Sequence, residues 1–364
     1  MAAVSCRLWY HSTSPHLQQL YTGFWMLHTG GFIRLSQQLR RAPCRYASDA
    51  PHLRNAGHAH LDAVLDERLR LHFDTHDSME IADGELDDCD FYFKRSYCAS
   101  VVDALPENQK KKLLPLGLNY RVLPDGTDSF AMRRGASLHG MSRATFTAFK
   151  AALDTGNHLG FQPRLAAMHA APRLDAEPRV LFQAAAYDPH DDPDRAQDKI
   201  EERVLLNDTR AQCIRLLRKA FGDHFLGGFS RSPFTLERYP DLVLPAQATP
   251  QQAYLKTLKS CPIGVATSGL HGSIGWKLAE YVAFAKAIVS QEFHNRVPGS
   301  FERERNYLDF VSPEECVNAV GKLIEDRSLR QELMRNNAAY YNSHLRPDCL
   351  VSNALSAALA QSSR

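Results

Sequence analysis

The sequence lacks any apolar run near the eighteen or so residues needed to span a membrane. Its opening, Met1–Tyr10, lacks the long apolar core of a secretion signal. Arginines with few acids mark the first part of the chain, as in mitochondrial transit peptides. Leu8-Trp9-Tyr10 already reads as a strand there and leaves little room for one. Charge imbalance is also missing: 43 Lys and Arg against 41 Asp and Glu leave a net +2. No basic field therefore argues for a nucleic-acid partner. The eight cysteines show no C-x-x-C pair and no regular spacing. Neither a zinc site nor a disulfide framework follows, and reduced thiols in a cytoplasmic protein are expected. Internal repeats and low-complexity tracts are absent too. What is present is 364 residues with 44% hydrophobic content, enough for two ordinary globular domains.

The first half alternates strands and helices. Arg7–Tyr10 is a candidate strand, and Ser14 before Pro15 fits a helix N-cap followed by proline at N1. Leu17, Leu20, Phe24 and Leu27 then recur at helical spacing up to Gly30-Gly31, and Phe32–Leu35 is the next strand. His11, Ser14 and His16 thus fall at a strand's C-terminal edge, where open α/β sheets bind ligands; Ser14 equally suits simple capping. Arg41–His60 reads as a loop. Leu69–Phe73 reads as a strand that runs straight into Asp74-Thr75-His76-Asp77-Ser78. Carboxylates beside an imidazole at a strand end suit acid–base chemistry, with Asp74 or Asp77 as base and His76 beside them. The same residues would serve as turn and cap. Asp87–Asp90 precedes a strand, Phe91–Tyr97, whose Lys94 and Arg95 suit a phosphate or an acidic acceptor, or the acids just before them. Leu113–Tyr120 is another strand-to-loop piece, His139–Lys150 is helix-like and Arg164–Glu177 is linker-like.

The second half starts with a buried strand, Arg179–Ala184, and a helix over Glu201–Phe221 closed by Gly222. Phe225–Phe229 and Leu242–Pro245 read as strands and Gln251–Leu258 as a helix. Pro262–Ala266, the loop Thr267–Ser273, an amphipathic helix and Ala287–Val289 form a strand–loop–helix–strand unit. Loop amides and a helix N-terminus make such a unit a site for anions, usually phosphate. Lys277 could add positive charge. Glu280, three residues on along the same side, suits a pair of ribose hydroxyls. A strand at Asn306–Phe310 follows. Ser312-Pro313-Glu314-Glu315 is a capping box with proline at N1, and helices over Leu329–Tyr341 and Leu350–Leu359 close the chain. Alternation of this kind predicts doubly wound α/β architecture.

Glu280–Val289, EYVAFAKAIV, resembles the glutamate-to-valine segment near the donor site of GT-B glycosyltransferases. GLHGSIGWKLAEY, FDTHDS, DFYFKRSY, PLGLNY and NYLDF look like the bacterial-type, polysaccharide-associated members of the family 1-like group. The resemblance runs from about Leu8 to Leu350 and implies two Rossmann-like domains facing across a cleft. Residues 1–172 would form the acceptor domain and 173–345 the nucleotide-sugar donor domain. Residues 346–364 would form a last helix crossing back to the first domain. By the same resemblance Glu280 holds the donor ribose, and His271, Gly272, Ser273 and Gly275 hold the diphosphate. Lys277, Tyr281, Asn306, Tyr307, His16, Lys94 and Arg95 complete the substrate-binding set, and Asp74, Asp77 and His76 are the catalytic candidates.

Departures from the pattern carry information. Ala285 stands where glycine is usual and Ala287 where proline is usual. Ala185 and Ala186 stand where an arginine is usual, and Gly272 replaces the upstream glutamate of retaining members. An inverting transfer is therefore expected. No metal or other cofactor is expected, because the nearest thing to an Asp-x-Asp pair, Asp191-Asp192-Pro193-Asp194, reads as a solvated loop. The expected partners are a nucleotide sugar and a hydroxyl-bearing acceptor, with peripheral membrane contact left open. The alternatives are a degenerate nucleotide-sugar binding protein and a nucleotide-sugar epimerase or sugar-phosphate phosphorylase.

Overall fold

The computed structural model describes residues 4–10, 14–39, 44–46, 59–125, 163–248 and 250–362. They fall into two compact units: Met1–Met168 with His344–Arg364, and His169–Ser343. The helix-like stretch His139–Lys150 and residue His11 lie outside the described residues.

The first unit carries β1 (Val4–Tyr10), α1 (Gln18–Thr29), β2 (Ile33–Leu39), β3 (His60–Leu65), β4 (Leu69–Asp74), α2 (Asp83–Asp88) and β5 (Phe91–Lys94). Short helices α3 (Ala99–Asp103) and α4 (Glu107–Lys110) lead to β6 (Leu113–Pro115). The sheet order is β2-β1-β3-β4-β5-β6. Strand β3 pairs antiparallel with both β1 and β4, and every other pairing is parallel. Strand β3 has no counterpart in the sequence reading, whose loop over Arg41–His60 stops where β3 begins; residues 41–43 and 47–58 of that loop lie outside the described residues. Leu61, Ala63 and Leu65 of β3 point into the apolar core, while His60 and Asp62 alternate to the other face.

The β3–β4 hairpin turns on Asp66 and Glu67, both with positive φ (45° and 58°). This geometry normally selects Asn-Gly or Asp-Gly, so the sequence signal is weak. Asp66 is held because its Oδ1 accepts from the amide and hydroxyl of Ser5 at 2.8 and 3.0 Å. Glu67→Gly should stabilise the unit by about 1 kcal/mol, since glycine adopts this region without the side-chain clash. A urea midpoint that does not rise would show that the ion pair of Glu67 with Arg7 outweighs the backbone relief.

Leu20, Phe24 and Leu27 of α1 pack with Leu8, Leu61 and Phe73 and with Leu350, Val351 and Leu355 of the last helix, α11 (Pro347–Ser362). The two helices approach at Gly23, where a Cβ would lie 2.1 Å from the Pro347 carbonyl oxygen. The described α-helices and strands between β6 and α11 belong to the second unit. They are β7 (Val180–Ala184), α5 (Gln197–Phe221), β8 (Phe225–Phe229), α6 (Pro233–Arg238), α7 (Gln251–Ser260) and β9 (Ile263–Ala266). After them come α8 (Trp276–Ala283), β10 (Ala287–Gln291), β11 (Tyr307–Phe310), α9 (Pro313–Glu325) and α10 (Arg327–Tyr340). Its sheet is fully parallel, in the order β11-β10-β9-β7-β8. Ser312 forms the capping box with Glu315 at the start of α9.

The expected strand at Leu242–Pro245 is corrected. Pro240–Leu242 is a single 3-10 turn, and only an isolated bridge joins Val243 to Phe229. Ala285 has φ +50° in the turn that ends α8, where Lys286 N donates to Tyr281 O at 2.9 Å. That is the left-handed helix-ending position that glycine ordinarily fills.

Candidate functional site

In the first unit, Arg70, His72 and Asp74 of β4 point away from the apolar core, on the face opposite Leu71 and Phe73. Asp74 is 1% exposed. Its Oδ2 accepts from the Tyr92 hydroxyl at 2.6 Å and from Lys94 Nζ at 2.8 Å, and its Oδ1 accepts from His76 N at 2.9 Å. Burial pulls its pKa upward. The Lys94 ammonium, His76 and the Lys94 and Tyr92 hydrogen bonds outweigh that, so the carboxyl sits below the usual range. Both oxygens are committed, which removes Asp74 as a general base. The same pair, with Lys94 1% exposed, removes Lys94 as a phosphate contact.

Asp77 differs. Its side chain is 31% exposed and its Oδ1 accepts from Arg95, whose guanidinium is buried. Burial opposes ionisation of Asp77, but Arg95, His16 and His76 hold its carboxyl below the usual range. Arg95 Nη1 lies 3.5 Å from His16 Nδ1. Burial, with the Arg95 charge, pushes the His16 imidazole below its usual range, more than Asp77 and a Thr75 backbone bond push it up. Asn119 fixes this segment by donating to His16 O at 2.9 Å. His16, Asp77 and Arg95 are thus brought together, with His76 beside them accepting from Ser78 N at 3.1 Å. Ser14 caps its short turn by accepting from His16 N at 3.3 Å. Ser78 accepts from Glu80 N and no helix follows it directly, so the capping reading of Asp77 and Ser78 is corrected as well.

Asp62, His72 and Glu85 lie close enough to hold an ion. Arg70 already bridges Asp62 and Glu85 at 3.3 and 3.1 Å, and His72 Nδ1 is 2.8 Å from Asp62 Oδ1. A guanidinium therefore already supplies the cation that these carboxylates require.

In the second unit the loop after β9 folds on itself. Gly269 N donates to Ser273 O at 2.7 Å, and His271 and Gly272 both take positive φ, 60° and 63°. Space around Gly272 is open, and Gly275 begins α8 with its Cβ position 3.4 Å from Thr267 O. The amide of His271 is occupied: it donates to a Glu202 carboxylate oxygen from α5. An anion therefore does sit on this loop, supplied by the chain itself. Ser273 is buried, and its amide donates to Leu270 O at 3.2 Å, so its expected phosphate contact is corrected.

Glu280 is buried, and its Oε2 accepts from the Tyr254 hydroxyl at 2.5 Å and Lys277 Nζ at 3.1 Å. Among the described residues none donates to its Oε1. Lys277 also sits 3.4 Å above the Tyr254 ring, which with the Glu280 pair holds its ammonium beside the carboxylate while its side chain stays 39% exposed. Two further expectations, Tyr281 and Asn306, are corrected. Tyr281 is wholly buried with its ring against Gly264, where a Cβ would come within 2.8 Å of it. Asn306 is buried: its Nδ2 donates to Asn337 Oδ1 at 3.1 Å and its Oδ1 accepts from Glu302 N. Tyr307 is half-buried, with its ring stacked on Phe301 and tilted against Phe293.

The sequence reading missed Arg210. This α5 residue donates from Nε to Thr267 Oγ1 at 2.9 Å, from Nη1 to Ala185 O at 2.7 Å and from Nη2 to Ser268 O at 2.7 Å. No local signal marks it, because each partner lies at least 25 positions away in sequence.

No protein-family model matches the sequence, and no curated protein matches it. Among solved structures, WaaG, a glycosyltransferase involved in lipopolysaccharide biosynthesis, shares 10% identity over 95% of this chain and 96% of its own, with a TM-score of 0.39. A putative UDP-N-acetylglucosamine 2-epimerase from Listeria monocytogenes shares 11% over 97% and 73%, also at 0.39. The C-terminal domain of a glycosyl transferase group 1 family protein, LpcC, from Francisella tularensis shares 10% over 49% and 95%, at 0.33. Likeness at this level carries no argument about site or activity. Among the described residues no helix is long and apolar enough to cross a membrane.

Proposed function

We propose that the protein is a glycosyltransferase of the GT-B type, moving a sugar from a nucleotide-sugar donor to an acceptor hydroxyl with inversion and without a metal. The observation that carries the reading is Glu280. Tyr254 and Lys277 fix one oxygen of a buried carboxylate, leaving Oε1 to accept from vicinal hydroxyls beside a glycine-bearing loop. In this reading the diphosphate lies along the 267–275 loop and displaces Glu202 from the His271 amide. Asp77 is the base, because it retains solvent access, with His16 and Arg95 orienting it. The competing reading is a binding protein without turnover, favoured by the Glu202 carboxylate that fills the loop amide.

Calorimetry with ribonucleoside diphosphates and their 2′,3′-dideoxy analogues tests the donor site. The wild type should prefer the ribo form, and Glu280→Ala should lose about 1–3 kcal/mol toward it while binding the dideoxy form unchanged. Equal binding of both forms by the wild type would remove Glu280 from the ribose. Donor hydrolysis by the wild type, reduced about 10²–10⁴-fold in Asp77→Asn, would exclude the binding-protein reading. Tight donor binding with no hydrolysis and no transfer would establish it.

A further inference from the structure

The sheet order of the second unit places the first strand, β7, between β8 and β9. The chain leaves β7 toward one side for β8 and crosses to the other side for β9. Between the C-terminal ends of β7 and β9 lies the topological switch point, where open parallel sheets take their ligands. Arg210 is the side chain that ties these two ends together, through Ala185 O after β7 and Thr267 and Ser268 after β9.

Its charge is the unusual feature. Arg210 is 6% exposed, and its hydrogen-bond partners are two carbonyls, the Thr267 hydroxyl and the Tyr187 side chain. The Tyr187 ring lies 5.4 Å from the guanidinium carbon. None of these groups carries a negative charge. Among the other cations of α5 and α8, Arg203 pairs with Asp191, Lys199 with Glu202 and Lys277 with Glu280. A cation withdrawn from water is costly unless an anion accompanies it. Burial accordingly pulls the Arg210 pKa downward, and only Tyr187 opposes it.

We infer that Arg210 is the fixed positive charge that draws the diphosphate of the ligand to the ends of β7 and β9. The inference rests on the nucleotide-binding reading above and deepens it. Three hydrogen bonds hold the guanidinium rigid, so it needs no reorganisation when the anion arrives. The role falls to α5 because Ala185 and Ala186, directly after β7, carry no charge.

The test uses the full chain and calorimetry with uridine, adenosine, guanosine and thymidine diphosphates, the matching nucleosides and inorganic pyrophosphate. Arg210→Gln should weaken diphosphate binding about 10–100-fold and leave nucleoside binding within about twofold. Diphosphate affinity should also depend less on salt in that variant. Arg210→Lys should recover most of the affinity. Unchanged diphosphate affinity in Arg210→Gln would overturn the inference. So would an equal loss for diphosphate and nucleoside, because a mere brace between the strand ends predicts that. If Arg210→Gln fails to fold, Arg210→Lys decides, since it keeps the charge and gives up most of the bracing: retained diphosphate affinity upholds the inference, and an equal loss for both ligand types overturns it. If the wild type binds no nucleotide, the parent reading fails, and pyrophosphate still tests the anion site. Pyrophosphate binding that Arg210→Gln abolishes upholds the inference, and its absence in the wild type overturns it.

Discussion

Asp74→Ala should lower the stability of the first unit by about 3–5 kcal/mol, the cost of breaking a buried ion pair from one side. The change leaves the Lys94 ammonium buried without its partner at 2.8 Å and deprives the Tyr92 hydroxyl of its acceptor. Hydrogen exchange at the amides of β4 and β5 measures it in the unit concerned. The folded-state pKa of Asp74 is below its unfolded value, so the pair's contribution is complete above about pH 4. It is lost as pH falls through the lower, folded value, and Asp74→Asn should therefore flatten the acid limb of the stability curve. Normal stability together with lost turnover in Asp74→Asn would return this residue to the catalytic set.

Lys286→Met should act in the opposite direction, raising the stability of the second unit at pH 7 by about 2–3 kcal/mol. Lys286 is 3% exposed, and burial pushes its pKa down to about 8 from the ordinary 10.5. The Cys261 thiol opposes that shift and Arg173 adds to it, and no carboxylate lies among the groups that move it. Below pH 8 both folded and unfolded chains carry the proton, and the folded chain bears the full cost of a buried ammonium. Between about 8 and 10.5 the folded chain has released the proton and the unfolded chain has not, so wild-type stability climbs with pH. The methionine variant should lack that climb. Urea denaturation on either side of pH 8 reads both effects, and a variant less stable at pH 7 would show that the amine is held by favourable contacts.

These two residues also show how far sequence reasoning reached. Periodicity placed α1, α5 and α9 and most strands, because each buries a face whose apolar spacing is local. It also brought attention to the segment Asp74–Ser78, which does lie at a strand end beside His16 and Arg95. It could not divide the work between two carboxylates three positions apart. That division depends on Lys94 and Tyr92, which a parallel neighbouring strand delivers from some twenty positions away. Strand β3 was missed for a local reason: its turn is Asp66-Glu67, held by Ser5 and Arg7 from another strand rather than by a glycine. Asn306 looked like a ligand residue through the resemblance carried by NYLDF. Its amide is used to join Asn337 of α10, a contact that no spacing rule contains. Arg210 escaped notice for the same reason, being one of several arginines on a long helix.

The packing of α11 against α1 at Gly23 sets an order of assembly. A growing chain usually completes its domains in the order of synthesis. Here the first unit is interrupted, and α11 is made only after every residue of the second unit. Until then α1 leaves the face around Gly23 and Phe24 without its cover, and the early-made sheet must wait in an unfinished state. The second unit, by contrast, is continuous from His169 to Ser343 and needs nothing made later. The second unit, begun later, can therefore be the first to reach its native core, with the earlier unit sealed afterwards by a single helix. Premature termination near residue 345 would then yield one finished unit and one exposed, aggregation-prone sheet.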